Sequence, residues 1–267
     1  MRFVMKITAA CAVVLPALCA SASATTMPFD VRYESESVGK QTTSATFSIG
    51  GVETFDTRAT GTGRSFITDY GSNGAITGRY ANVQINDADQ YGGAGGAGRY
   101  AVTFATSGYS LDLSSMIPGG VNYFGYWLSA LDRGNAVSFY SNSNLLFTFD
   151  PRDVVAAIGN NSAYKGNPNT AFKGQDAGEP FVFLNFFYDG GSFDRIVFAE
   201  TPQSGGYESD NHTVGHFTSK GTGTAVPLTY STSAVPEPAS WTMMLAGFGL
   251  LGIMLRRRGG GTVAGMI

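Results

Sequence analysis

The chain has 267 residues, 17 Lys and Arg against 20 Asp and Glu, and a formal net charge of −3. Charged side chains make up only 14% of it, and this acidic, sparsely charged composition argues against nucleic acid or an anionic membrane surface as a partner. Its two cysteines, Cys11 and Cys19, both lie near the N-terminus, so the rest of the chain has neither a disulfide framework nor thiolate chemistry.

In chain order, Arg2 and Lys6 form a small positive region, Ile7 to Ala20 is apolar, and Ala22, Ser23 and Ala24 supply small residues. That order predicts a signal peptide over 1–24, cut by signal peptidase at the Ala22 and Ala24 pattern, with the mature chain starting near Thr25. The other reading is an uncleaved anchor. Lipoprotein processing at Cys19 is disfavoured by the large Leu18 before it. Residues 25–98 are rich in Thr, Ser and Gly with weak strand signals, which predicts a loosely packed first half of a larger unit. Within it Asn86, Asp87 and Asp89 form an oxygen-rich loop. Gly93, Gly95 and Gly98 formally match GxGxxG, but RYAVTF follows. With no helix N-terminus to hold a pyrophosphate, the run reads as a mobile loop.

From Tyr100 onward the pattern is that of strands. In YAVTFA, Tyr100, Val102 and Phe104 share one face and Ala101, Thr103 and Ala105 the other, a half-buried alternation. The runs VNYFGYWLSAL, AVSFY, LLFTF, FVFLNFFY and FDRIVFA follow at short, turn-rich spacing. The expected fold class is all-β, a jelly-roll-like β-sandwich with one short helix, over an exported domain of residues 25–234. The helix is predicted after Asp150: Asp150 caps, Pro151 fits the first turn, Asp153 faces the positive end, and Gly159 stops it.

Candidate chemistry is sparse. Glu208, Asp210 and Asn211 follow a Gly-Gly turn, and as an oxygen-rich loop Glu208 and Asp210 can hold calcium or simply be solvated. No other cofactor is expected. The only two histidines, His212 and His216, would sit on one strand face about 13 Å apart, too far for one metal ion unless a turn through Gly215 brings them together as a zinc pair. Neither has a GxSxG serine. Two carboxylates such as Glu179 and Glu208 could serve a glycosidase, since such pairs are set by space. Tyr123, Phe124, Tyr126 and Trp127 cluster in one strand. They either fill the core or, through Tyr126 and Trp127, stack on a sugar.

The C-terminus is the most specific segment. VPEPASW leads into an uncharged stretch from Ser240 to Leu255 that ends at Arg256, Arg257 and Arg258. As a helix that stretch reaches roughly 24 Å, marginal for a hydrocarbon core of about 30 Å. Pro236 and Pro238 set its outer boundary, Trp241 suits the interface, and the arginines stay cytoplasmic. Removing both terminal signals leaves 12 basic and 19 acidic residues, a net of −7 over residues 25–235.

Pro236, Glu237, Pro238, Trp241, Met243, Met244, the Gly-rich apolar run and the arginine cluster resemble the PEP-CTERM sorting signal. The resemblance covers 235–258 and leaves 259–267 as a short cytoplasmic tail. It implies a Gram-negative host that makes exopolysaccharide, transient anchoring in the inner membrane by the C-terminal helix, and processing by exosortase. The destination would be the cell surface or extracellular matrix. FYSNSNLLFTFDPRDVVAAIG, FDRIVFAE and YESDNHTVG further resemble a jelly-roll-like segment common among such exported proteins, with a final strand ending at the Asp-Asn pair and no established catalytic residues. The expected role is a non-enzymatic structural or glycan-binding protein associated with exopolysaccharide. The alternatives are a secreted carbohydrate-active enzyme and a permanently tail-anchored envelope protein.

Overall fold

The structure is a computed structural model that describes residues 28–35, 39–71, 73–203, 205–229 and 248. The signal segment with Ala22 and Ala24 lies outside these residues. So does the C-terminal sorting segment, apart from Phe248. Among the described residues no helix is long and apolar enough to cross a membrane.

The strands are β1 (Phe29–Tyr33), β2 (Thr46–Glu53), β3 (Gly61–Asp69), β4 (Ile76–Asp87), β5 (Arg99–Thr103), β6 (Tyr109–Ser115) and β7 (Tyr123–Ser129). They continue as β8 (Asn135–Ser141), β9 (Asn144–Phe149), β10 (Val182–Tyr188), β11 (Arg195–Glu200), β12 (Tyr207–Ser219) and β13 (Thr224–Ala225). One α-helix, α1 (Pro151–Ile158), stands between β9 and β10. It is built as its sequence predicts. Asp150 Oδ1 accepts the Arg152 N–H at 3.0 Å, and Gly159 at φ +59 donates its N–H to Val155 O at 3.0 Å.

All strand pairs are antiparallel and run in the order β13-β1-β10-β7-β12-β5-β4-β6-β11-β8-β9, with β2 added to β12 and β3 to β4. Strand β4 makes the corner. Its first half pairs β6 and its second half pairs β5, so one strand joins the two halves of the path. Around that corner the sheet curls until β1, β7 and β10 face β8, β9 and β11. Rings that are not register partners then meet: Phe124 with Phe198 at 5.7 Å, Phe139 with Phe186 at 5.1 Å and Phe29 with Phe147 at 4.8 Å between centroids. This aromatic layer is the core, and the expected all-β sandwich is its outcome.

Two details of the sequence reading are corrected. Strand β5 is not half-buried: Tyr100, Ala101 and Val102 are all buried, and Phe104 lies past the strand end, 46% exposed. One face of β5 meets the core and the other is covered by the 88–98 loop, where Tyr100 Oη donates to Asp89 Oδ2 at 3.1 Å. The region 25–98 is also not the first half of the sandwich. Strand β1 pairs with β10, β2 with β12 and β4 with β5 and β6, so these strands are distributed through the whole sheet.

Candidate functional site

Side-chain alternation along β7 sends Phe124, Tyr126 and Leu128 into the core and Trp127 and Ser129 to the opposite face. On β12, Glu208 stands opposite Ser129 and Asp210 opposite Trp127, so the four side chains form one patch on that outer face. None is open to solvent: exposures are 0% for Trp127, 1% for Ser129, 5% for Glu208 and 2% for Asp210. Ala94 packs on the cluster of Trp127, Ala130, Phe181 and Phe183 and donates its N–H to Asp210 Oδ2 at 2.7 Å. Side-chain amides hold this cover down. Asn169 Nδ2 donates to Gly93 O at 3.1 Å and Asn167 Nδ2 to Gln90 O at 2.8 Å.

Burial decides the charge state of the two acids. It pushes Glu208 up to about 8, with Asp132, Asp89 and Glu200 adding to the rise against a lowering backbone hydrogen bond. It also pushes Asp210 up to about 8, against the lowering N–H groups of Ala94 and Asn211. Both carboxyls are therefore protonated in good part at neutral pH. Trp127 Nε1 and Ser129 Oγ have no hydrogen-bond partner among the described residues.

Strand geometry replaces the oxygen-rich loops expected from the sequence. Glu208, Asp210 and Asn211 are in the first half of β12, and Asn86 and Asp87 end β4. Asp210 uses both carboxylate oxygens on backbone, accepting from Ala94 N and, at 2.6 Å, from Asn211 N. Asp89 caps its own turn, accepting the N–H groups of Tyr91 and Gly92 at 2.9 and 3.0 Å. Among the described residues no three His, Cys, Asp or Glu side chains gather as a metal site. The Gly-rich loop is equally committed to structure. Gly98 has φ +77, and a Cβ there would stand 1.9 Å from Asp56 Oδ1.

Tyr126 and Trp127 are corrected as sugar-stacking candidates. Both are 0% exposed, Tyr126 pairs its hydroxyl with Tyr207 Oη at 2.7 Å, and neither offers a ring face to a glycan. The predicted final strand does not end at Asp210-Asn211 but continues to Ser219 through a bulge, with Asn211 at φ +50. The extra residue turns His212 inward. There it stacks on Phe198 at 5.1 Å, its Nδ1 is 2.9 Å from Tyr80 Oη, and burial pushes its pKa down to about 3. His216 instead holds Gly120 O through Nδ1 at 2.8 Å. The two histidines thus serve separate contacts.

The sorting residues Pro236, Glu237, Pro238, Trp241, Arg256, Arg257 and Arg258 lie outside the described residues. The last described residue before them, Thr229, is clamped to α1: its N–H donates to Asp153 Oδ2 at 3.0 Å and its hydroxyl bonds Oδ1. No curated protein and no solved structure matches the chain. Residues 234–258 match the PEP-CTERM protein-sorting motif, as the prolines, the apolar run and the arginine cluster lead one to expect. The chain is therefore a protein with a PEP-CTERM sorting motif at residues 234–258, which marks it for export, sorting to the cell envelope and processing by exosortase.

Proposed function

We propose that the protein is a non-enzymatic component of the bacterial cell surface or extracellular matrix, structural or glycan-binding, retained with exopolysaccharide after exosortase removes its C-terminal anchor. The observation that carries this reading is the sorting motif at 234–258 behind a cysteine-free β domain. The burial of Glu208 and Asp210 supports a non-enzymatic role, because acids only 5% and 2% exposed do not meet a polymeric substrate. The reading needs no cofactor.

Mass spectrometry of the mature C-terminus, combined with cosedimentation with the host's own polysaccharide, tests it. A terminus within or just before Val235–Pro238 and retention with the polymer are expected. An intact Arg258 would establish a permanent tail anchor instead. Reducing ends released from the polysaccharide would establish an enzyme.

A further inference from the structure

We infer that the outer face of β8, β9 and β11 is a binding groove for an oligosaccharide bearing uronic-acid carboxylates, with Arg133 as the group that pairs with the carboxylate. The inference rests on the glycan-binding reading above and gives it a place and a ligand class.

The groove follows from strand alternation. Val137, Phe139, Phe149 and Phe198 point into the core, so the residues between them point out. Those outward residues are small: Ala199 stands opposite Ala136, and Ser138 opposite Thr148. Three strands at about 4.8 Å spacing give a floor roughly 10 Å across, wide enough for a sugar ring. Pro151 and Pro202 help wall a cavity of about 670 Å³ over this floor. It adjoins a second cavity of about 450 Å³ toward Pro180, and Arg133 and Arg152 line both. Volumes of this size suit small ligands.

Polar groups in the first cavity sort by availability. Ser138 Oγ and Thr148 Oγ1 share one hydrogen bond of 2.8 Å, which leaves hydroxyl capacity for sugar hydroxyls. Arg152 is ion-paired with Asp150, the cap of α1, so those two charges cancel. Arg133 is exposed and belongs to none of the ion pairs among the described residues. Its neighbour Asp132 is turned to the backbone, accepting the Gly134 N–H at 2.8 Å. Arg133 is therefore the guanidinium of the lining that stays outside the ion pairs among the described residues, with Asp132 lining the second cavity beside it. A planar guanidinium matches a carboxylate with two parallel hydrogen bonds, which singles out an acidic sugar over a neutral one.

Calorimetric titration of the full-length protein in detergent micelles with hexagalacturonate and with cellohexaose tests the groove. The acidic hexamer is expected to bind at least about tenfold more tightly. Arg133→Gln, an exposed change that leaves the fold intact, is expected to lose about tenfold or more. Ala199→Trp fills the floor and is expected to abolish binding, whereas Arg64→Gln on β3 leaves it unchanged. Equal binding of the two hexamers, or acidic binding that survives Arg133→Gln, overturns the proposal. If neither hexamer binds while the host polysaccharide still cosediments, the groove is overturned and the general reading stands. If nothing binds, both fall.

Discussion

The centre and the rim of the sheet are built from different kinds of strand. In β7, YFGYWLS, all seven residues are buried, and in β10, VFLNFFY, only Tyr188 is partly exposed. In β2, TFSIGGVE, and β3, GTGRSFITD, one buried residue apiece, Glu53 and Thr68, stands among exposed and half-exposed ones. The reason is coverage. One face of β7 and β10 meets the aromatic layer and the other lies under Ala94 and Phe181, while β2 and β3 pair along one edge only, with β12 and β4 respectively. A central strand therefore carries packing on both faces, and a rim strand chiefly donates hydrogen bonds.

The largest expected difference is in truncation of a central ring. Phe124→Ala removes a side chain that meets Tyr126, Phe139, Phe186, Phe198 and His212, and should cost about 3–5 kcal/mol in urea unfolding. A loss comparable with that of a rim residue would erase the distinction. Next is the polar pin inside β10. Asn185 Oδ1 accepts from Tyr123 Oη at 2.7 Å and Thr43 Oγ1 at 2.6 Å, and its Nδ2 donates to Glu34 Oε1 at 3.1 Å. Asn185→Leu keeps the branched shape in a larger side chain and orphans those groups, for an expected loss of about 1–3 kcal/mol.

Strand β12 crosses from centre to rim, and pH probes the passage. Glu208 and Asp210 titrate near 8 in the fold against 4.5 and 3.8 as reference values, so the folded state holds more protons between those limits. The stability they contribute is present at low pH and is lost as pH rises from about 4 through 8, at a slope of up to about 1.4 kcal/mol per pH unit for each group. His212 acts oppositely. Its value falls from 6.5 to about 3, so its contribution is present above 6.5 and lost as pH falls through 3. Two acids against one imidazole leave a net decline from pH 5 to 8. Urea midpoints that stay level or rise over that range would remove the buried acids from the account, and Glu208→Gln should make the decline shallower.

Smaller effects lie outside the centre. Asp150→Ala removes the α1 cap and should cost about 1 kcal/mol by thermal unfolding. On β3, Ile67→Ser replaces a side chain 54% exposed and should change stability by less than about 0.5 kcal/mol. A larger loss there would mean that the rim carries packing comparable with the centre.

How much of this was legible depended on whether the signal was local. FVFLNFFY and LLFTF read as strands because long apolar runs bounded by turns have few other uses, and Asp150, Pro151 and Gly159 framed the helix through chemistry within one turn. YAVTFA misled because its alternation shows what one strand can hide, whereas burial of both faces depends on how the preceding 88–98 loop folds back over the strand. The carboxylates showed the same limit. Glu208 and Asp210 follow a Gly-Gly turn in sequence, yet pairing with β7 places them in a strand opposite Ser129 and Trp127. The Arg133 groove had no sequence signal, since Ala136, Ser138, Thr148 and Ala199 are ordinary small residues until three strands align them.

By itself the sequence determined the all-β class, the helix and its caps, the absence of cysteine chemistry beyond the N-terminal segment, and the sorting motif, because each rests on neighbouring residues or on composition. Only the tertiary structure decided which faces are covered, that Tyr126 and Trp127 are interior, that a bulge at Asn211 turns His212 into the core, and where a groove opens. Those outcomes depend on contacts between residues far apart in the chain, and burial belongs to a pair of surfaces, not to either strand alone.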